Sequence, residues 1–162
     1  MTTKNFFFSI VVPALNEEKN LPCLFDSLKN QTLDVPYQVV ISDNGSTDCT
    51  IEVTKKLGGQ VATGSTKGCI GSARFVGAEL AEKLAKNSSK HEEIIIFTDA
   101  DSWVEKNYFQ TVFEAYQNPK VSASMGPVVY EQGKYSFKVG KFSHPVCLTS
   151  AAADLRAWWI LK

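Results

Sequence analysis

The stretch Ile94-Ile95-Ile96-Phe97-Thr98-Asp99-Ala100-Asp101 decides how this chain is read. Its first four residues form an apolar run of strand length, continuous rather than alternating. That pattern fits a strand buried on both faces, as in a parallel sheet. Two carboxylates separated by one small residue then follow at the carboxyl end. Unpaired charges beside a buried strand cost several kcal/mol. A divalent cation resolves that cost, because Mg2+ and Mn2+ take hard oxygen ligands, commonly one or two protein carboxylates plus substrate phosphates. The same residues also read as a solvated turn in which Asp99 or Asp101 caps the next helix.

Towards the N-terminus, Phe6 to Val12 is a β-prone run stopped by Pro13. Leu21, Leu24, Phe25 and Leu28 recur at helical spacing, which predicts a helix from Glu17 to about Asn30 with Asn16 as its N-cap. Tyr37 to Ser42 is a second strand, ending in the turn-like Asp43-Asn44-Gly45-Ser46. Thr47 or Asp48 then caps a helix through about Leu57, stopped by Gly58-Gly59. Gln60 to Thr63 is a short strand, Gly64 to Gly71 a glycine-rich loop, and Ser72 to Lys86 a helix.

Beyond Asp101, a helix is expected from Val104 to Gln117, closed by Asn118-Pro119. Val121 to Met125 and Val128 to Tyr130 read as strands, and Ser150 to Leu161 as an amphipathic helix carrying Trp158 and Trp159. Strands alternating with helices imply an α/β fold: three layers, α/β/α, around a mostly parallel sheet. Ligands of such sheets sit outside the carboxyl ends of the strands, where the strand order reverses. Asn16 and Glu17, Asp43 and Asn44, and Asp99 and Asp101 all fall at such ends.

The chain has 162 residues, enough for one domain, with 44% hydrophobic and 21% charged residues. Lys plus Arg and Asp plus Glu are 17 each, which argues against a broad basic footprint for nucleic acid and leaves room for one local positive pocket. Cys23, Cys49, Cys69 and Cys147 contain no C-x-x-C pair and are expected to be reduced packing residues in a cytoplasmic protein. Apolar runs are strand-sized, so no transmembrane segment is expected. His91 reads as solvated, and His144 as a candidate ligand for metal or phosphate.

Two further segments carry chemistry. Asp43 can accept an N–H from a nucleobase edge, or simply close an Asx turn. Lys67-Gly68-Cys69-Ile70-Gly71-Ser72-Ala73-Arg74 opens a helix with two glycines and an arginine. Backbone N–H groups at a helix start suit phosphate, and the guanidinium fork matches it. A plain helix start with a surface arginine is the alternative.

In this order, SIVVPALNEEKNL (9–21), VVISDNGSTDCT (39–50), KGCIGSARFVGAELA (67–81) and IIIFTDADS (94–102) resemble the family-2 glycosyltransferases of the GT-A fold. The resemblance covers roughly Phe8 to Met125. It implies a single Rossmann-like GT-A domain over residues 1–162, with a nucleotide-sugar-binding core over 1–130 and the start of an incomplete acceptor-side region over 131–162. It implies donor contacts from Pro13, Ala14, Asn16, Glu17, Asp43, Gly68, Arg74, Asp99 and Ala100. Asp101, with Asp99, is implied to hold Mn2+ or Mg2+. The implied reaction transfers a sugar, with inversion, from a nucleotide-diphosphate donor, UDP by default, to an unknown acceptor.

Asn44 stands where the family often has a second Asp. The family's later catalytic base has no identifiable match here. Glu131 and Asp154 are the only acids after Glu114, and a Q-x-x-R-W signature is absent. The alternative expectation is therefore a donor-binding module or fragment without its own base. Exposed tryptophans on a terminal helix would point to a homodimer contact or a lost domain interface, and peripheral attachment to a membrane is compatible with the rest.

Overall fold

The computed structural model describes residues 5–88, 92–126 and 158–161. Their elements are β1 (Phe6–Ala14), α1 (Leu21–Lys29), β2 (Tyr37–Asp43), α2 (Thr50–Lys56), β3 (Gln60–Ala62), α3 (Ile70–Ser88), β4 (Glu92–Phe97), α4 (Tyr108–Gln117), β5 (Ala123–Gly126) and β6 (Trp158–Leu161). The sheet order is β3-β2-β1-β4-β6-β5. β1, β2, β3 and β4 pair in parallel, and β6 runs antiparallel to both β4 and β5.

Two apolar clusters make the three layers. Phe6, Phe8, Ile10, Val12, Ile94 and Ile96 face α1 and α4, meeting Leu21, Leu24, Phe25, Leu28, Phe109 and Val112. Val11, Val40 and Phe97 face α3, meeting Ala81 and Val76. The continuous run of β4 thus feeds both faces, although Ile95 is only half-buried. Phe109 stacks edge-on against Phe8 and Tyr37 at 5.2 Å each, which fixes where α4 begins. Such pairs add about 0.5–1.5 kcal/mol beyond their burial.

The chain winds from β1 outward through β2 and β3, then crosses to β4 on the other side of β1. The strand order therefore reverses between β1 and β4, where a crevice is expected. Pro13 helps to open it. The register of β4 on β1 stops at Phe97 opposite Val11, and Thr98 N–H makes a last bond to the Val11 carbonyl at 3.2 Å. The donor that Pro13 lacks falls on this side, beyond the end of the ladder.

Several expectations are corrected. α1 begins at Leu21, not Glu17, with Asn20 at the N-cap and a proline in its first turn. Asn16 has φ +59° and caps nothing helical. α2 begins at Thr50 after Cys49. Gly58, at φ +87°, ends it as expected, with its N–H on the Lys55 carbonyl at 3.1 Å. α3 extends two residues beyond the expected helix at each end. α4 begins at Tyr108, because the segment from Val104 is held by side chains of α1 and its neighbour Gln31. Residues 158–161 form β6, not the end of a helix: pairing with the open edge of β4 outweighs a local helical pattern. The helical premise for a dimer contact falls with it.

Cys23, Cys49 and Cys69 are exposed free thiols, not packing residues. The expected strand at Val128–Tyr130, together with His91, Glu131, His144, Cys147 and Asp154, lies outside the described residues. No helix among the described residues is long and apolar enough to cross a membrane.

A polar knot lies under α3. The Ser9 hydroxyl donates to Glu93, while the Gln38 amide donates to Ser9 Oγ at 2.8 Å and to the Ala81 carbonyl at 2.9 Å. Burial pushes the Glu93 carboxyl up from its ordinary 4.5; the Ser9 bond opposes this, Glu82 adds to the rise and Lys86 opposes it. A raised folded value means that the protonated acid is favoured in the fold. Its stabilisation is complete below 4.5 and is lost as pH rises through the raised value. Glu93→Gln, which stays neutral, is expected to raise the melting temperature at pH 7. Melts repeated down to about pH 4 should show that advantage disappear.

Candidate functional site

The site is built from loops that leave the carboxyl edge of the sheet. The loop after β1 and the loop after β2 are laced together. Asn16 N–H donates to Ser46 Oγ at 2.9 Å, and Asn16 Oδ1 accepts the Thr47 N–H at 2.8 Å. Glu17 N–H donates to Thr50 Oγ1 at 2.8 Å, and Glu18 N–H to Asp48 at 3.2 Å. Cys49 N–H returns a bond to Glu18 at 2.9 Å. Asn16 is the only non-glycine at positive φ among the described residues, and asparagine tolerates that region best among residues with a side chain. The lacing spends its side chain on Thr47 and fixes the edge beside Pro13 and Ala14.

Asp43 ends β2 level with Ala14, 9% exposed. Its carboxylate accepts the N–H groups of Gly45 at 3.1 Å and Ser46 at 3.3 Å. That is the Asx turn of the second reading, with Gly45 at φ +91°. A carboxylate has about four acceptor positions, so the turn leaves capacity for a ligand N–H. Asn44 is 8% exposed, and its Oδ1 accepts from the Ser65 hydroxyl at 3.2 Å. The Lys67 side chain lies over Gly45, 3.6 Å from where a Cβ would stand. The glycine-rich loop thus folds back onto the β2 turn.

Gly68, at φ +75°, precedes α3, and the Thr66 N–H donates to Ser72 Oγ at 2.9 Å. Arg74 sits in the first turns of α3 and reaches the loop that follows β4. Its Nη2 donates to Asp99 Oδ1 at 3.2 Å, with side chains 26% and 19% exposed. Its Nε is buried without a partner in the protein. An unmade bond of that kind costs about 1–3 kcal/mol unless water or ligand supplies an acceptor. Ala100 turns inward, joining Val104 in the α1/α4 core, while Asp101 is exposed. The small residue between the two carboxylates therefore anchors the turn that presents them.

All ten site residues expected from the sequence lie at this edge. Direct contacts join Asn16 to the β2 loop and Arg74 to Asp99. Asp43 is tied up locally in its own turn. Among the described residues, no three His, Cys, Asp or Glu side chains gather to hold a metal on their own. Two carboxylates are an incomplete set, of the kind a hard cation completes with phosphate oxygens. A groove of about 510 Å3 between α1 and Trp103–Asn107 lies on the flank, away from Arg74 and Asp99. Ser46, Thr47, Asp48, Thr50 and Ser65 were not expected as parts of the site. Their only signal is a run of short hydroxyl and acidic side chains after a strand end.

The profile of the family described as Glycosyl transferase family 2 matches residues 9–158. A curated relative, 4,4'-diaponeurosporenoate glycosyltransferase of Staphylococcus haemolyticus (strain JCSC1435), is 34% identical over 95 residues, which is 57% of this chain and 24% of that protein. The crystal structure of S. aureus TarS 1-349 in complex with UDP is similar at TM-score 0.62 and 24% identity, over 81% of this chain and 38% of that one. Glucosyl-3-phosphoglycerate synthase from Mycobacterium tuberculosis, solved with Mn2+, UDP and glucosyl-3-phosphoglycerate, is similar at TM-score 0.52 and 21% identity, over 72% and 42%. At those identities the two structures share the fold. The chain spans about a quarter of the curated relative and under half of either structure.

Proposed function

The chain belongs to glycosyl transferase family 2, and from that premise we propose that it holds the nucleotide-diphosphate end of a UDP sugar in the β1/β4 crevice and serves transfer of that sugar, with inversion, to an acceptor. The observation that carries this reading is the Arg74–Asp99 contact between α3 and the loop after β4, with Asp101 exposed two residues on. One guanidinium and two carboxylates this close would supply both signs of charge that a metal–diphosphate group needs. UDP is favoured because TarS and the glucosyl-3-phosphoglycerate synthase were solved with it.

Each residue has a part to play. Arg74 offers its fork to a phosphate oxygen and keeps Asp99 in place. Asp43 accepts an N–H from the base with the capacity its turn leaves. Pro13, Ala14, Asn16 and Glu17 form the laced wall beside the nucleotide, and Gly68 keeps the α3 loop close. Asp101 and Asp99 would hold Mn2+ or Mg2+, whose donor set two carboxylates fit only when phosphate completes it. When bound, the ion would neutralise charge developing on the leaving diphosphate.

Transfer also needs a base for the acceptor hydroxyl. The chain matches only 24% of its curated relative, which favours a second reading, a donor-binding part whose base comes from further sequence or a partner. Incubation with a panel of UDP sugars and Mn2+ separates the two. Release of UDP or transfer supports the complete enzyme. Thermal stabilisation by UDP and Mn2+ without turnover supports the donor-binding part. Neither effect, with any nucleotide, would remove both readings.

A further inference from the structure

Three residues after Asp101 the chain is caught by α1: Val104 N–H donates to Ser27 Oγ at 3.1 Å. Immediately beyond the end of α1, the Gln31 carboxamide makes three bonds. Its Nε2 donates to the Ser27 carbonyl and to the Glu105 carbonyl, each at 2.9 Å. Its Oε1 accepts the Phe109 N–H at 2.9 Å. Thr32 adds its N–H and hydroxyl to the Lys106 carbonyl at 2.8 and 3.0 Å.

The chemistry selects a carboxamide. Two donors and one acceptor are needed on one flat group, and glutamine supplies both N–H bonds from a single nitrogen. The reversed amide would set an oxygen against two carbonyls and an NH2 against an N–H, so its orientation is fixed by its partners. A glutamate would bring negative charge against the same carbonyls. A methionine would keep the shape and lose all three bonds. Gln31 therefore joins the C-terminus of α1, the segment after Asp101 and the start of α4. The front of the same turn is held by the Thr98 bond to Val11 and by buried Ala100.

We propose that Gln31 is a positioning residue for the donor site: its carboxamide pins the Val104–Phe109 segment, and through it sets the Asp99–Asp101 turn. The inference rests on the donor-site reading above but is tested partly without it. The variant is Gln31→Met, with Ser27→Ala, which removes the Val104 anchor, as a second. Val112→Ala, a core change in α4 that leaves every Gln31 and Ser27 hydrogen bond in place, controls for lost stability.

The first measurement is amide hydrogen exchange. Residues 99–103 should exchange about tenfold faster in Gln31→Met, as expected for losing a bond of about 1.4 kcal/mol, while β1 and β2 are unchanged. The second is the dissociation constant of UDP at fixed Mn2+, which should rise about tenfold in Gln31→Met and not in Val112→Ala matched for melting temperature. Should Gln31→Met not fold, Ser27→Ala must show the same local exchange. Unchanged exchange at 99–103 in the folded variants, or an equal rise in Val112→Ala, overturns the proposal. Absence of UDP binding by the unaltered chain overturns the donor reading instead, and the exchange result still decides whether Gln31 sets the turn.

Discussion

Asp101→Ala is expected to abolish the metal-dependent part of UDP binding while leaving the fold intact. Asp101 is exposed and is not a member of the apolar core. An exposed substitution of this kind changes stability by about 0.5 kcal/mol or less. The effect on binding should be far larger. Even the outer partners of metal ligands are worth about 10–100-fold in affinity, so a direct ligand belongs at or beyond the top of that range. Asp101→Asn should behave almost as badly, because the neutral amide keeps the shape and loses the charge. Titrations with UDP, with and without Mn2+, read this directly. If Asp101→Ala retains the full metal increment, Asp101 holds no metal in this chain.

The second large effect lies in the packing that brings Arg74 to Asp99. α3 crosses the sheet at Gly77, where a Cβ would stand 2.5 Å from Val11 Cγ1 and 3.2 Å from Ser42 Cβ. Val11 is fully buried in the middle of β1 and has nowhere to move. Gly77→Ala gains about 1 kcal/mol of helix propensity, yet α3 must lift. Gly77→Val adds two methyl groups and little propensity, so overpacking should dominate at about 3 kcal/mol. For a domain of this size that lowers the melting temperature by about 10 °C. Arg74 is one turn earlier on the same face, so lifting α3 also draws its guanidinium from Asp99. UDP affinity should fall in Gly77→Val even at temperatures where the protein is fully folded. A variant as stable as the parent would show that α3 does not approach the sheet this closely.

How legible the molecule was in its residues follows from which forces are local. The strands β1, β2 and β4 were readable because parallel strands buried on both faces are continuous apolar runs. The buried face of α1 was readable from Leu21, Leu24, Phe25 and Leu28, all of which are buried. Its start was misplaced because residues 16–18 bond to a loop thirty residues away, and nothing local announces that. β6 was hidden for the same reason, since its partners are Ile95 and Ile96. At the site, the placement of Asp43, Arg74, Asp99 and Asp101 on one edge was foreseen, but not the pairing of Arg74 with Asp99. Asp43 had two readings, and its turn bonds are now seen beside whatever it does for a ligand. Gln31 carried no signal at all: a lone amide after a helix looks like any surface residue.

If metal completes a UDP site in the β1/β4 crevice, calorimetric titration of this chain with UDP, once in Mn2+ and once in EDTA, should reveal it. Binding is expected at one site and at least about tenfold tighter in Mn2+, a difference of about 1.4 kcal/mol. Equal affinity in the two buffers, or no binding in either, would contradict it.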